Sequence, residues 1–365
     1  MIELVDIRIN QNTRQKIDEL LSQGRLSSGK TNYEFEDALA KLCGVTDTIS
    51  CVNGTIALQI IWQALGVSSG AKILTTPFTF IASSNSILYQ RAVPIFADIQ
   101  PDTFNLDPNM VEDELKKDSS IRYVLLVNLY GLMCDVPAFE FLKNKYELTI
   151  IEDCAQSHGS AYYNRQSGSI FDAASFSFYA TKNAYSGEGG ACIFKDKNQL
   201  ELARKISNHG RSSSYEHDVL GNNYRMSEIH AMIGLSSLGE LKKQNNSRIK
   251  NAEYLSKNLP VNVVPPCCPE NYTHVYHQYV IRTPYRNQLQ EFLLQQGIKS
   301  NVVYPVPNYR QKIYLETFSN FKDFSLPNTE KACDEVLSLP VHPFLTESDL
   351  KHVSDSVKSF FNSRE

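Results

Sequence analysis

Lys182 lies between a short apolar run of strand character and a glycine-rich turn. The run spans residues 175–181, and the turn is Gly187-Glu188-Gly189-Gly190. An exposed lysine is normally a solvated charge, but the glycines here would let the backbone approach a ligand closely. A desolvated lysine with a lowered pKa is the group that forms Schiff bases. The pattern therefore indicates covalent chemistry at Lys182.

Asp153 ends a second apolar run, Leu148 to Asp153. A carboxylate at that position would be partly buried and would need a cationic partner. A protonated pyridine nitrogen is one such partner, and a lysine Schiff base with an aspartate on that nitrogen is the usual signature of pyridoxal 5'-phosphate (PLP). The alternative is a helix N-cap, where aspartate is also favoured.

Asn53-Gly54-Thr55 supplies backbone amides and a hydroxyl between a strand-like run and an apolar helical segment. A helix N-terminus approached through glycine is an anion site, so this tripeptide predicts a phosphate cradle, although it could simply cap a helix. Ser177, on the run before Lys182, could add a hydroxyl. Phe80 could be a core residue or the aromatic partner of a cofactor ring.

These residues need a scaffold that brings the ends of several strands together. Apolar and β-branched runs alternate with segments of helical period, which predicts a three-layer α/β domain around a largely parallel sheet. Open sheets of this kind place their chemistry at the strand ends. The predicted strands are 48–52, 72–76, 93–98, 123–129, 148–153, 173–178 and 191–194, and the predicted helices are 55–65, 81–90, 108–117, 136–145 and 199–207.

A long helical segment, 227–259, leads out of the large domain. The remaining sequence predicts a small α+β domain, and we place the large PLP-binding domain at 1–245 and the small one at 246–365. Its predicted strands are 275–282 and 299–303, and its predicted helices are 286–296, 329–337 and 346–361.

Composition narrows the class of protein. The chain has 365 residues and a net charge of -4, which gives no general attraction to nucleic acid or to anionic membranes. Its eight cysteines show no metal-ligand spacing, so we expect no metal and reduced, mostly structural thiols. The N-terminus does not read as a signal peptide, and no apolar run approaches the length of a bilayer span. We expect a cytoplasmic protein.

Ten ordered motifs carry a family resemblance across nearly the whole length. The chain resembles the DegT/DnrJ/EryC1/StrS family of PLP-dependent nucleotide-sugar aminotransferases, which have the aspartate aminotransferase-like fold type I. The motifs begin at Leu26, Asn53, Pro77, Glu152, Ser175, Gly187, Asn208, Asn223 and Tyr304, and a further Leu-Pro-Val-His-Pro begins at Leu339.

The resemblance implies a role for each candidate residue. Lys182 would bind PLP as a Schiff base and then move a proton between the substrate carbon and the cofactor. Asp153 would keep the pyridine nitrogen protonated, and Gln156 would hydrogen-bond the ring hydroxyl. Phe80 would stack on the ring. Phosphate contacts would come from Gly54, Thr55 and Ser177, and from Asn223 of a neighbouring subunit, which would make the active unit a homodimer.

The resemblance also implies the reaction. Relatives that act as dehydratases carry histidine in place of Lys182, so lysine favours transamination, with L-glutamate as the amino donor and a nucleotide-linked ketosugar as the acceptor. Lys30, Arg211 and Arg225 are candidates for the nucleotide diphosphate, although each could equally be a surface charge. Tyr185 and Tyr304 are candidates to face the sugar. Many relatives have Leu-His after Tyr-Pro-x-Pro, where this chain has Asn308-Tyr309.

The step from Lys182 to Glu188 suggests a position for the new amine. Five residues separate them, as in relatives that aminate C4 of a 4-keto-6-deoxy sugar, whereas 3-keto enzymes more often have a longer step ending in aspartate. We therefore expect C4 amination. The alternatives are amination at C3, amination of a cyclitol ketone, and a PLP-binding sensor without turnover.

Overall fold

A computed structural model describes residues 1–364 and contains a seven-stranded sheet, a three-stranded sheet and a two-stranded sheet. The strands are β1 Ile49–Cys51, β2 Lys72–Thr75, β3 Val93–Phe96, β4 Tyr123–Val127, β5 Thr149–Asp153, β6 Ala161–Tyr162, β7 Arg165–Gln166, β8 Ala173–Ser177, β9 Gly190–Phe194, β10 Tyr272–Thr273, β11 Tyr279–Arg282 and β12 Val336–Leu339. The α-helices are α1 Gln11–Ser22, α2 Lys30–Cys43, α3 Gly54–Ala64, α4 Ile81–Tyr89, α5 Pro108–Lys117, α6 Val136–Tyr146, α7 Lys197–Ile206, α8 Glu228–Asn258, α9 Arg286–Gln295, α10 Lys312–Thr317, α11 Pro327–Glu335 and α12 Glu347–Asn362.

The large sheet has the strand order β1-β9-β8-β5-β4-β2-β3. Strands β8, β5, β4, β2 and β3 pair in parallel, and β9 pairs antiparallel with both β8 and β1. Because two antiparallel pairings restore the direction, β1 runs the same way as β8 and β5. The prediction of a largely parallel sheet is confirmed.

Alternate strand residues face opposite sides of this sheet, and each side is covered by helices. On β4, Leu125 packs in one cluster with residues of α3 and α7, whereas Val124 and Leu126 pack in a second cluster with residues of α5 and α6. The strands are mostly apolar because both faces are buried. The result is the three-layer α/β/α arrangement that the sequence predicts.

A second core lies around the antiparallel pair β11-β12. It combines residues of α9, α12 and the C-terminal part of α8 with Ile281 and Leu337 of the two strands. The 31-residue helix α8 therefore begins beside the large sheet and ends in the second core. The predicted domain boundary at residues 245 and 246 falls within this helix.

The predicted elements are mostly confirmed, and the differences lie outside the large sheet. The strand predicted at 299–303 is wrong, because only an isolated bridge joins Asn301 to Ser338 there. The helix predicted at 329–337 ends at Glu335, since Val336 and Leu337 pair with β11. The strand predicted at 275–282 begins only at Tyr279. Helices α1, α2 and α10 and the two-residue strands β6, β7 and β10 were not predicted.

Two further findings concern residues 1–364. No helix in this range is long and apolar enough to cross a membrane. Within the same range, no three His, Cys, Asp or Glu side chains are grouped as metal ligands would be.

Candidate active site

The ends of β1, β5 and β8 meet at one edge of the large sheet and open onto a cavity of about 440 Å³. Asp153 is the last residue of β5, Ser177 is the last residue of β8, and Gly54 begins the helix that follows β1. The cavity is lined by eight of the predicted site residues: Gly54, Thr55, Phe80, Asp153, Gln156, Ser177, Lys182 and Tyr304. Residues that are far apart in sequence thus form one site.

Asp153 is 5% exposed, and its carboxylate is held from two sides. Oδ2 accepts a hydrogen bond from the Ser83 hydroxyl at 2.8 Å, and Oδ1 accepts one from the Ala155 amide at 3.1 Å. Burial raises the pKa of Asp153, and these hydrogen bonds and nearby Lys182 oppose that shift. The following residues form turns instead of a helix, so the N-cap alternative for Asp153 is wrong.

Lys182 follows β8 in a turn in which its backbone amide donates to the Tyr179 carbonyl at 2.9 Å. Burial lowers the pKa of its amine from 10.5 to about 8, and the charge of Asp153 opposes this shift. A lysine with such a pKa has a usable fraction of neutral amine near neutral pH, as a nucleophile or a general base requires. The chemistry expected of Lys182 therefore has a physical basis in its surroundings.

The N-terminus of α3 forms the anion-binding end of the cavity. The amides in the first turn of a helix have no helical partners. Asn53 caps this helix by accepting a hydrogen bond from the Ile56 amide at 2.9 Å, so the amides of Gly54 and Thr55 remain free for a ligand. A Cβ on Gly54 would lie 2.7 Å from Cβ of Ser177, so glycine is required for this close packing. Free amides beside the Ser177 hydroxyl suit a phosphate.

Gln156 and Phe80 form other walls of the cavity. The Gln156 amide is 4% exposed and donates through Nε2 to the Tyr304 hydroxyl at 2.8 Å. The Phe80 ring, in contrast, is 61% exposed although it lines the cavity. An exposed aromatic face, a buried carboxylate, a lysine with a lowered pKa and an anion site at one cavity fit the ring, the nitrogen, the aldehyde and the phosphate of PLP.

The other five predicted site residues do not line the cavity of their own chain. Arg211 and Arg225 lie at a second cavity of about 420 Å³, where Arg225 donates to Oδ1 of Asn208 at 2.5 Å. Lys30 is exposed and pairs with Glu34 at 3.4 Å. Asn223 is exposed, and its backbone forms an isolated antiparallel β-bridge with Asn208. The Tyr185 hydroxyl donates to the Arg8 carbonyl at 2.9 Å, which directs it away from the site.

Ser83 and His277 are among the cavity residues that sequence reasoning missed. Ser83 holds Asp153 and lies three residues after Phe80, on the same face of the first turn of α4, so helical spacing could have found it. His277 lies 95 residues after Lys182 in sequence, beyond the reach of any local pattern.

The sheet is mostly parallel and covered by helices on both faces, with a buried aspartate at the end of β5 and a partly buried lysine in the turn after the neighbouring strand β8. These features define a PLP-dependent transferase of fold type I. The sequence model of the DegT/DnrJ/EryC1/StrS aminotransferase family matches residues 7–358, and the chain belongs to this family. The resemblance drawn from the motifs is therefore confirmed, and the protein is an aminotransferase that uses PLP.

Curated relatives match over nearly their full lengths. The chain is 36% identical to a pleiotropic regulatory protein of Geobacillus stearothermophilus, covering 94% of this chain and 93% of that protein. It is 34% identical to the UDP-2-acetamido-2-deoxy-3-oxo-D-glucuronate aminotransferase of Pseudomonas aeruginosa, covering 96% and 98%.

Solved structures are similar throughout the chain. A DegT DnrJ EryC1 StrS aminotransferase from Brucella abortus aligns with a TM-score of 0.93 at 28% identity over 99% of both chains. DesV of S. venezuelae, in complex with a ketimine intermediate, aligns with a TM-score of 0.91 at 30% identity over 96% of this chain and 94% of its own.

Proposed function

We propose that this enzyme transfers the amino group of L-glutamate to a nucleotide-linked ketosugar. The observation that carries the proposal is the shared cavity of Lys182 and Asp153, in which burial lowers the pKa of the lysine to about 8. Relatives named as aminotransferases of UDP- and dTDP-linked sugars support the substrate class. A relative at 28% identity is named the spore coat polysaccharide biosynthesis protein SpsC, which supports a role in making amino sugars for surface glycans.

Bound PLP supplies an electron sink that stabilises negative charge on the substrate carbon. Lys182 would hold the cofactor through its Nζ and, once released, accept and return the proton that moves during transamination. Asp153 would keep a proton on the ring nitrogen, because a buried carboxylate favours a cationic partner. Ser83 and the Ala155 amide keep that carboxylate in place.

The remaining cavity residues would orient the cofactor. Phe80 would stack on the ring through its exposed face, and Gln156 would donate its second Nε2 hydrogen to the ring hydroxyl. The amides of Gly54 and Thr55 and the hydroxyl of Ser177 would hold the phosphate. This arrangement assigns a partner to each polar edge of PLP.

Asn223 does not line its own chain's cavity, and we propose that it reaches the phosphate of a neighbouring subunit. The active unit would then be a homodimer with shared sites. Mixing subunits of Lys182→Ala with subunits of Asn223→Ala tests this, because each mixed dimer would contain one site with both native residues. Activity that rises on mixing supports shared sites, and activity that stays at the level of the separate variants contradicts them.

The position of amination has two candidates, each favoured by a different observation. The five-residue step from Lys182 to Glu188 supports C4 of a 4-keto-6-deoxy sugar. Relatives at 34% and 31% identity support C3, because they are named as a 3-oxo-glucuronate aminotransferase and a 3-amino-3,6-dideoxy-galactopyranose transaminase. Incubation with glutamate and matched 3-keto and 4-keto nucleotide sugars separates them, and turnover confined to the 3-keto sugars would exclude C4.

Catalysis itself is tested by the glutamate half-reaction. Added glutamate should shift the absorbance of the PLP-loaded protein to that of the pyridoxamine form, with release of 2-oxoglutarate. The alternative is a PLP-binding sensor without turnover, and it is favoured by the relative at 36% identity, which is named a pleiotropic regulatory protein. Such a sensor would bind PLP without this change. An unchanged spectrum in the presence of glutamate would therefore overturn the enzymatic proposal.

A further inference from the structure

Asn183, the residue after Lys182, has a side-chain amide whose orientation is fixed by its neighbours. Its Nδ2 donates to the Val275 carbonyl at 3.0 Å and to Oδ1 of Asn245 at 2.9 Å. Asn245 is oriented in turn, because its own Nδ2 donates to the His158 carbonyl at 2.8 Å. Carbonyl oxygens only accept hydrogen bonds, so neither amide can be flipped without losing a partner.

This orientation determines the tautomer of His277. With both Nδ2 hydrogens used, Asn183 presents Oδ1 to Nδ1 of His277 at 3.3 Å. An amide oxygen cannot donate, so Nδ1 of the imidazole must carry the proton. Nδ1 is thereby occupied, and Nε2 of a neutral ring is an unprotonated acceptor.

The surroundings of His277 keep the ring neutral. Burial lowers the pKa of His277 well below its usual value, and the nearby cations Lys182 and Arg248 add to this effect. His158, a third group near the ring, is itself buried, and burial lowers its pKa to about 3. The carboxylates of Asp153 and Glu188 line the same cavity, but among the described residues neither is hydrogen-bonded to His277, whose Nδ1 lies against Asn183.

The ring also has access to substrate. His277 is partly exposed and lines the same cavity as Lys182 and Tyr304. Since Nδ1 faces Asn183 inside the protein, Nε2 is the nitrogen left for the cavity. A neutral acceptor there would repel a carboxylate and favour a hydrogen-bond donor, and hydroxyl groups are the most numerous donors on a sugar.

We propose that His277 is a substrate-binding residue whose Nε2 accepts a hydrogen bond from a hydroxyl group of the ketosugar, with Asn183 holding the tautomer. The inference rests on the proposed function, because it takes a sugar as the second substrate. It assigns the selection of a sugar hydroxyl to His277, in the segment that follows β10, so the ketosugar half-reaction should depend on this residue more than the glutamate half-reaction does.

The tautomer is tested first, in the cofactor-free protein. Nitrogen-15 NMR of histidine-labelled protein, with the His277 signals identified by their loss in His277→Gln, should show a protonated Nδ1 and a bare Nε2 between about pH 6 and 8. A proton on Nε2 or a doubly protonated ring would overturn the proposal. Far-ultraviolet circular dichroism of the variant checks that it folds.

The ligand is tested with His277→Phe, which keeps a planar ring but removes the acceptor, and with His352→Phe as the exposed control. We expect the affinity of the pyridoxamine form for the nucleotide ketosugar to fall about 3- to 10-fold in His277→Phe, as the loss of one hydrogen bond implies. Deoxy analogues that each lack one hydroxyl should identify the partner: the wild type loses the same factor with one analogue, and His277→Phe loses nothing further with it.

The two half-reactions separate the possible failures. In His277→Phe the loss should be larger in the ketosugar half-reaction than in the conversion of the PLP form by glutamate. An equal loss in both half-reactions would mean that His277 acts on Lys182 instead of on the sugar, and would overturn the proposal. Absence of the glutamate half-reaction in the wild type would instead overturn the proposed function.

Discussion

Gln156 joins the large sheet to the C-terminal part of the chain through Tyr304. Its Nε2 donates to the Tyr304 hydroxyl at 2.8 Å, while its Oε1 accepts the Tyr130 amide at 2.7 Å. The rings of Tyr130 and Tyr304 are stacked with an interplanar angle of 9°. Because the Tyr304 oxygen accepts from Gln156, its own proton can be donated into the cavity.

Removal of the Tyr304 hydroxyl should leave the Gln156 side chain less firmly held. In Tyr304→Phe the buried amide loses its acceptor, so we expect a decrease of about 1 kcal/mol in the free energy of unfolding and weaker PLP binding. Chemical denaturation and a PLP titration measure these effects, with Tyr163→Phe as the exposed control. PLP affinity equal to that of the wild type would contradict a role for the Gln156–Tyr304 pair at the cofactor.

Lys182→Ala should abolish transamination without disturbing the fold, because the lysine's role is chemical and its amine has no hydrogen-bonded partner to lose among residues 1–364. Borohydride reduction of the PLP-loaded wild type should add the mass of the cofactor to the peptide containing Lys182, and the variant should show no such addition. Lys242→Ala, on the exposed face of α8, is the control. Near-normal turnover in Lys182→Ala would show that another group is the nucleophile.

The attachment of PLP should depend on pH through the Lys182 amine. Its pKa is lowered from 10.5 to about 8, so the neutral nucleophile increases as the pH rises through about 8. The rate of PLP binding to the cofactor-free protein, followed by absorbance, should rise with this midpoint and then level. Between about pH 8 and 10.5 the unfolded chain binds more protons at this site than the folded chain, so this site also contributes stability that rises with pH.

Asp153→Asn should change both the pH midpoint and the activity. Its negative charge raises the pKa of Lys182, so neutralising it should move the attachment midpoint to lower pH. Turnover should fall by on the order of 10²–10³-fold, because the ring nitrogen loses its anionic partner. Asp113→Asn, an exposed change on α5, serves as the control. Turnover equal to that of the wild type would remove Asp153 from the mechanism.

Gly190 lies on β9 between Cys51 and Ser177 of the two neighbouring strands, and we expect this position to tolerate no side chain. A Cβ on Gly190 would lie 2.2 Å from the Asn53 carbonyl oxygen, so Gly190→Ala must displace the start of α3. We expect lower stability and weaker PLP binding. Gly239→Ala in α8 meets nothing within 4 Å and should stabilise the protein by about 0.5–1 kcal/mol. Thermal unfolding of the two variants measures the contrast, and an unchanged Gly190→Ala would contradict it.

The amino-acid sequence by itself determined the layered fold and the chemical residues. Alternation of buried strands with helices of 3.6-residue period is a local property, so the parallel sheet could be predicted from spacing. Lys182, Asp153 and Gly54 could be found for the same reason, since Asp153 ends a strand and the other two closely follow one. The segment at 299–303 was assigned wrongly because its residues pair only through the single bridge from Asn301 to Ser338.

Only the tertiary structure decided which distant residues share the cavity. It brought Ser83, His277 and Tyr304 to the site and left Tyr185 outside, bonded to the Arg8 carbonyl. It also determined the lowered pKa of Lys182 and the tautomer of His277, because burial and the direction of a hydrogen bond depend on groups that are far apart along the chain. Sequence spacing identifies the residue types at strand ends, whereas their charge and proton positions come from packing.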